Sequence, residues 1–369
     1  MKHVVNLGKD ARAIFYGMVS ITSFLIIGKS ISFLKEIAIA WRFGVSDVVD
    51  AYTYIFNIYQ WPIGLFFSIL FSTFIPFVIK NYSKEPKKIN LFIGEFFGSV
   101  ITSSVVLGVI FFICITYGLN HEWFELSSDS KKVALDIIFP MSLILPLGLV
   151  ISLLSAWIMS IGGHRNTLLE SCPSFVLLIG IVMPIGSQDM VLVFGTVLGY
   201  MLQLFIMLYI VKSERRWVVP AFTFNSNYWG VASFGLGWLV FSQGLMGITA
   251  LIDQQFATQF GTGALSQLSY ANKIVSIFIS IGALALGRSV LPIFSNMASS
   301  GLEDLIKFAN RLGVICFLMA TLISSIGWVS SDWVVDVVFK RGAFTGKDVI
   351  DVAELYRYCL LYTSDAADE

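Results

Sequence analysis

Residues 13–41 read AIFYGMVSITSFLIIGKSISFLKEIAIAW. From Ala13 to Gly28 there is no charged side chain. A helix needs about 20 apolar residues to cross the hydrocarbon core of a bilayer, and this stretch is long enough. Lys29, Lys35 and Glu36 then fall inside the same apolar run. A charge at the centre of a spanning helix costs about 2.5–3.5 kcal/mol on insertion scales and normally faces a cavity or a partner. At about 100° per residue, Lys29 and Lys35 flank Ser32 by about 60° on either side, and Glu36 falls about 20° from Lys29. One arc of the helix carries all four, with apolar residues opposite.

The rest of the chain is made of the same material. Apolar residues form 56% of its 369 residues and charged residues only 13%, with a mean hydropathy of +0.80. A soluble domain carries about 25% charged residues, so lipid must be the solvent for much of this surface. The fold class is therefore all-α, a polytopic transmembrane helix bundle. Helices are expected near 13–41, 48–79, 90–117, 133–161, 168–185, 190–211, 229–259, 266–297 and 307–330, with a tenth starting near 349. A net charge of zero argues against nucleic acid as a partner. Cys114, Cys172 and Cys316 sit singly in apolar runs, and His3, His121 and His164 are scattered. Neither a metal site nor a cofactor is expected.

Basic residues orient the bundle. With the N-terminus in the cytoplasm, the inner segments hold Lys2, Lys9, Arg12, Lys80, Lys84, Lys87, Lys88, Arg165, Lys212, Arg215, Arg216, Lys307 and Arg311. The outer segments hold Arg42, Lys131, Lys132, Lys340, Arg341 and Lys347. The positive-inside rule favours that orientation. Trp217, Trp328 and Trp333 stand near helix ends, as interface anchors do.

The chain also repeats itself. KEIAIAWRFG (35–44) closes the first helix and IDQQFATQFG (252–261) closes the seventh. Pro76 in FIPFV follows Gly44 at nearly the spacing by which Pro292 in VLPIF follows Gly261. Two lobes with one helix-pair plan are a transporter signature, with substrate held between the halves. The lobes expected are 1–216 and an incomplete 217–358. The last residues, Cys359 to Glu369 (CLLYTSDAADE), resemble the translated end of a sequencing adaptor and are set aside from the fold.

The intramembrane charges have two readings each. Lys29 and Lys35 are cations of a cavity wall, or they snorkel; Lys35 lies roughly 33 Å along the helix, where snorkelling is easy. Lys273 in LSYANKI faces the first lobe as a cavity cation, or pairs with Asp253 across a helix hairpin. Arg288 snorkels near the inner interface. Asp47 is a first-turn acid facing the helix dipole, and Asp50, one turn deeper, is in reach of Lys35. Glu95 and Glu170 are placed at headgroup level. Several cations and few acids suit an anionic substrate such as a pyrophosphate, to which Lys brings charge without the bidentate fork of Arg.

At these residues the chain resembles a known family. GKSISFLKEIAIAWRFGVSDVVDAY (28–52), LSYANKIVSIFISIGALALGRSVLPIFSNMA (268–298) and VVFKRGAFTGKDV (337–349) are similar to segments of the MurJ (MviN) lipid II flippases. These belong to the multidrug/oligosaccharidyl-lipid/polysaccharide exporter superfamily. The resemblance implies a two-lobed bundle of fourteen helices around a central cavity, of which nine to ten helices are present here. It implies substrate binding by Lys29, Lys35 and Lys273, with Ser32 beside them. Glu36, Asp50 and Asp253 fall on ion-pair or gating positions. The three matched cations are Lys where the family has Arg, and the second helix lacks the family's basic pair and acid.

The expected function is a flippase that carries an undecaprenyl-pyrophosphate-linked sugar, lipid II or a related cell-wall precursor, across the bacterial cytoplasmic membrane by alternating access. Its partners are then the lipid-linked oligosaccharide, membrane lipid and a coupling ion. An O-antigen or exopolysaccharide flippase is the alternative, followed by a multidrug or cation antiporter. A membrane enzyme would need a catalytic loop domain longer than any loop here, and a scaffold is the remaining class.

Overall fold

The computed structural model describes residues 7–82, 84–121, 123–161, 166–183, 188–213, 217–277, 279–280 and 302–365. Among these residues the regular structure is helical throughout. The helices are α1 (Leu7–Phe43), α2 (Asp47–Ile69), α3 (Ile75–Tyr82), α4 (Pro86–Asn120), α5 (Ser128–Ser142), α6 (Ile144–Ser160), α7 (Asn166–Leu169), α8 (Cys172–Val182) and α9 (Gln188–Ser213). Then follow α10 (Trp229–Thr258), α11 (264–277), α12 (Leu302–Val329), α13 (Ser331–Phe339) and α14 (Gly346–Asp365). Arg288 and Pro292 lie outside the described residues. Five described stretches are long and apolar enough to cross a membrane: Asp47–Tyr82, Lys88–Asn120, Ser128–Ser160, Met190–Ser213 and Leu305–Val329.

Contacts divide the chain into two compact units, residues 1–35 with 50–262, and residues 36–49 with 263–369. In the first unit proline chemistry shapes the long spans. Pro76 has no N–H to give and its ring crowds the carbonyl four residues back. The ladder opens into a π turn over Leu70–Phe74, just before it. Thr73 Oγ1 donates to the Ile69 carbonyl at 2.6 Å and Ser72 Oγ to the Ser68 carbonyl at 3.0 Å, which re-satisfies groups near the break. Pro146 likewise cannot donate to the Ser142 carbonyl, and the 128–160 span divides at Leu143 into α5 and α6.

Small residues then let helices close in, as is usual where lipid rather than water surrounds the bundle. A Cβ on Gly199 would stand 2.5 Å from the Pro173 Cα, which seats α9 on α8. A Cβ on Gly148 would stand 2.3 Å from Ile63 Cδ1, which seats α6 on α2. Outer faces are apolar and exposed: Phe317, Leu318 and Leu322 of α12 offer their side chains outward. Such a surface needs hydrocarbon as its solvent.

The second unit gathers around Tyr270 of α11. Its ring lies against Phe339 and Phe344, and its hydroxyl donates to the Gly44 carbonyl at 2.9 Å. Gly44 turns the chain with a φ of +59°, which favours glycine. Gly261, its counterpart in the other copy of the sequence repeat, also has a positive φ of +94°. The sequence reading did not anticipate α13. The start of α14 was legible: Thr345 and Asp348 cap it reciprocally, with Thr345 N donating to Asp348 Oδ2 at 2.7 Å and Asp348 N to Thr345 Oγ1 at 3.4 Å. Beyond Tyr358 the helix continues to Asp365, and Leu360 is buried against Gly327.

Candidate functional site

In the first unit, α1 and the α7–α8 connection enclose a small cavity of about 170 Å³ lined by Leu25, Gly28, Lys29, Ser32, Glu170 and Ser171. Lys29 and Ser32 share this wall because three residues of helix carry them to one face. Ser32 Oγ donates to Ser174 Oγ at 3.2 Å, which fixes α1 against the first turn of α8. Gly28 faces the same connection, where a Cβ would stand at ordinary contact, 3.5 Å from the Ser171 Cβ. Glu170 keeps part of its surface exposed, yet the protein packed around it desolvates it enough to push its carboxyl above the usual range; the Lys29 ammonium pulls it back, less strongly. Glu170, placed by sequence at headgroup level, thus shares the cavity of Lys29 and lies near enough to feel its charge. A cation beside two hydroxyls, with one neutralisable acid, is a setting that accepts an anion when the acid is protonated.

Lys35 is half-buried on α1, Asp50 is buried on α2 with 3% of its surface exposed, and Asp253 is exposed on α10. In the second unit, Lys273 Nζ lies 3.3 Å from Glu36 Oε1. Lys273 therefore takes its carboxylate from α1 rather than from the helix that precedes it in sequence. The acid of the pair is mostly covered while the ammonium keeps 42% of its side chain exposed. Water and solutes reach the cation more readily than its partner.

One further carboxylate, placed by sequence at headgroup level, holds a structural role that the sequence did not show. Glu95 of α4 has no accessible surface. It accepts from Thr223 Oγ1 at 2.7 Å, Asn225 N at 2.8 Å, Ser226 N at 3.1 Å and Trp229 Nε1 at 2.8 Å. These donors belong to the strap 217–228 and the first residue of α10. The Gly94 carbonyl accepts from Ala221 N at 2.8 Å, and a Cβ on Gly98 would stand 2.1 Å from the Ala221 carbonyl oxygen. The signal was present as GEFFG (94–98), an acid between two glycines in an apolar run. Its partners lie more than a hundred residues away, so no local pattern revealed them.

Comparison with known proteins decides the family. The model of "Lipid II flippase MurJ" matches residues 39–361. The chain belongs to this family. A probable lipid II flippase MurJ of Buchnera aphidicola subsp. Baizongia pistaciae is 25% identical over 94% of this chain and 70% of its own length. Its counterpart in Buchnera aphidicola subsp. Schizaphis graminum is 24% identical over the same shares. Among solved structures, a lipid II flippase MurJ in an inward closed conformation matches with a TM-score of 0.77 at 16% identity, covering 93% of this chain and 72% of that one. A mutant of the Vibrio cholerae MATE transporter VcmN matches at 0.52 with 13% identity, over 95% and 81%. These likenesses show the fold, a bundle of long apolar helices.

Proposed function

We propose that this chain translocates lipid II, an undecaprenyl-pyrophosphate-linked sugar, across the bacterial cytoplasmic membrane. The observation that carries the reading is the match of the MurJ family model to residues 39–361. It favours lipid II over an O-antigen repeat unit and over the substrates of an antiporter. Transport, not bond chemistry, is the activity. The N-terminus lies in the cytoplasm, and the positive-inside count supports that orientation. Lys29 beside Ser32 receives the pyrophosphate in the first unit, with Lys35 further along the same helix. Lys273 serves in the second unit, where the anion competes with Glu36. Asp50 and Asp253 take part in ion pairing or gating as the lobes, residues 1–216 and 217–358, alternate in access. A coupling ion or the membrane potential supplies the driving force.

The test is movement of labelled lipid II to the outer leaflet in cells depleted of their own flippase and supplied with this protein. Rescue is expected, as is its loss with Lys29→Ala plus Lys273→Ala. Full transport by that double variant would overturn the site assignment. Failure of the unsubstituted protein to move the lipid would overturn the function.

A further inference from the structure

A second and larger cavity, of about 530 Å³, lies between α2 and α10 within the first unit. Its polar wall is made of carboxamides, Asn57, Gln60, Gln243 and Gln254, together with the Trp61 indole. Among the described residues no charged side chain lines it. Two of its donors are buried without an acceptor: Gln254 Nε2, on a residue only 4% exposed, and Trp61 Nε1. The Gln60 carbonyl oxygen accepts from Tyr200 Oη at 2.7 Å and that of Gln243 from Ser68 Oγ at 3.4 Å.

A buried N–H without an acceptor is rare and costly in a native protein, so its partner comes from whatever fills the space. The volume is far beyond the roughly 30 Å³ of a single water and within the ~300–1,000 Å³ of small-molecule sites. The wall selects among occupants. An anion finds no cation here, and an acyl chain offers no acceptor. A neutral ring bearing hydroxyl and acetamido groups both donates and accepts, and its flat face suits an indole. Gly247 lets α10 come close to the indole edge: a Cβ there would stand 2.4 Å from Trp61 Nε1 and displace it.

The geometry points to a sugar subsite, in which Trp61 Nε1 and Gln254 Nε2 donate to the oxygens of a neutral pyranose of the transported lipid. This rests on the reading that the cargo is a lipid-linked glycan. It places recognition of the sugar on α2 and α10, away from the Lys29 cavity formed by α1 and the α7–α8 connection.

The experiment compares binding of undecaprenyl diphosphate with and without a linked N-acetylated disaccharide, using the full chain in nanodiscs. The disaccharide should tighten binding at least tenfold. Gln254→Leu and Gly247→Val should each erase that gain while leaving the affinity for undecaprenyl diphosphate within twofold. Lys29→Gln should weaken both lipids alike. Gln254→Met is the second variant should Leu disturb folding, judged by helical circular dichroism and elution volume. A sugar gain retained in the folded cavity variants overturns the proposal. A soluble arm separates the two readings: N,N′-diacetylchitobiose at millimolar concentration, followed by saturation-transfer NMR. Signal from the unsubstituted chain that is lost with Gly247→Val supports the subsite even if neither lipid binds, in which case the transport reading fails alone. No signal means that the cavity holds water only, and the proposal falls.

Discussion

Glu95 accepts the indole N–H of Trp229 at 2.8 Å from a position with no accessible surface, and so ties the start of α10 to α4. A carboxylate is buried at this cost only when several donors surround it. Here two backbone N–H groups, a hydroxyl and an indole do so. Glu95→Ala leaves these donors without their charged acceptor, which costs about 2 kcal/mol or more. The expected result is a lower unfolding temperature in detergent and fast proteolysis within 217–228. Glu95→Gln keeps an acceptor and should show a smaller effect on both.

Gly98 sets the height of the same strap. The obstacle to a Cβ is the Ala221 carbonyl oxygen at 2.1 Å, which is backbone and cannot rotate aside. Gly98→Ala should therefore lift the strap and raise its protease sensitivity, although alanine favours the helix itself. Normal resistance of the strap in Gly98→Ala would show that this contact does not hold it.

Glu36 and Lys273 form a pair with one covered and one open member. Because the Lys273 side chain keeps 42% of its surface exposed, the coupling should be modest, about 0.5–1 kcal/mol. A double-mutant cycle with Glu36→Gln and Lys273→Met on thermal stability measures it. Glu36→Gln alone should also tighten binding of a pyrophosphate lipid, since the cation loses its internal competitor.

Glu170 gives the Lys29 cavity a pH dependence. Its carboxyl sits above the ordinary 4.5 because the protein packed around it desolvates it in part, with Lys29 opposing. The folded chain therefore binds this proton more tightly than the unfolded chain. Its contribution to stability falls as pH rises from the ordinary carboxylate value through the raised one. As pH falls through that window, Glu170 becomes neutral and Lys29 is left without a counter-charge. Binding of an undecaprenyl-diphosphate-linked sugar should strengthen on acidification, and Glu170→Gln should flatten the profile. A profile unchanged by Glu170→Gln would place the titrating group elsewhere.

The two repeat glycines should differ when replaced. Gly44 combines a φ of +59° with an Ala343 carbonyl oxygen 2.6 Å from where a Cβ would stand, whereas Gly261 has its positive φ and open space. Gly261→Ala should cost about 1 kcal/mol of backbone strain. Gly44→Ala should cost clearly more, read as the larger drop in unfolding temperature.

Much of the architecture was legible along the chain. The expected 13–41, 48–79, 90–117 and 190–211 lie inside helical spans of the structure, because an apolar run long enough to cross a bilayer has few other forms available. The π turn before Pro76 and the division at Leu143 were not read, although both follow from proline. The short α13 carries no apolar run of membrane length and was missed. Helical periodicity put Lys29, Ser32, Lys35 and Glu36 on one arc, and of these the small cavity is lined by Lys29 and Ser32.

Partners are a different matter. The sequence by itself determined where the helices run, which charges stand in apolar surroundings, and that lipid is their solvent, since length, periodicity and hydropathy are properties of neighbours along the chain. Only the tertiary structure decided that Lys29 meets Glu170, that Lys273 meets Glu36, that Glu95 holds a strap, and that four carboxamides and an indole from two helices wall one cavity. Those choices depend on which helices pack together and at what height. Glycine and proline set that packing through contacts between residues distant in sequence.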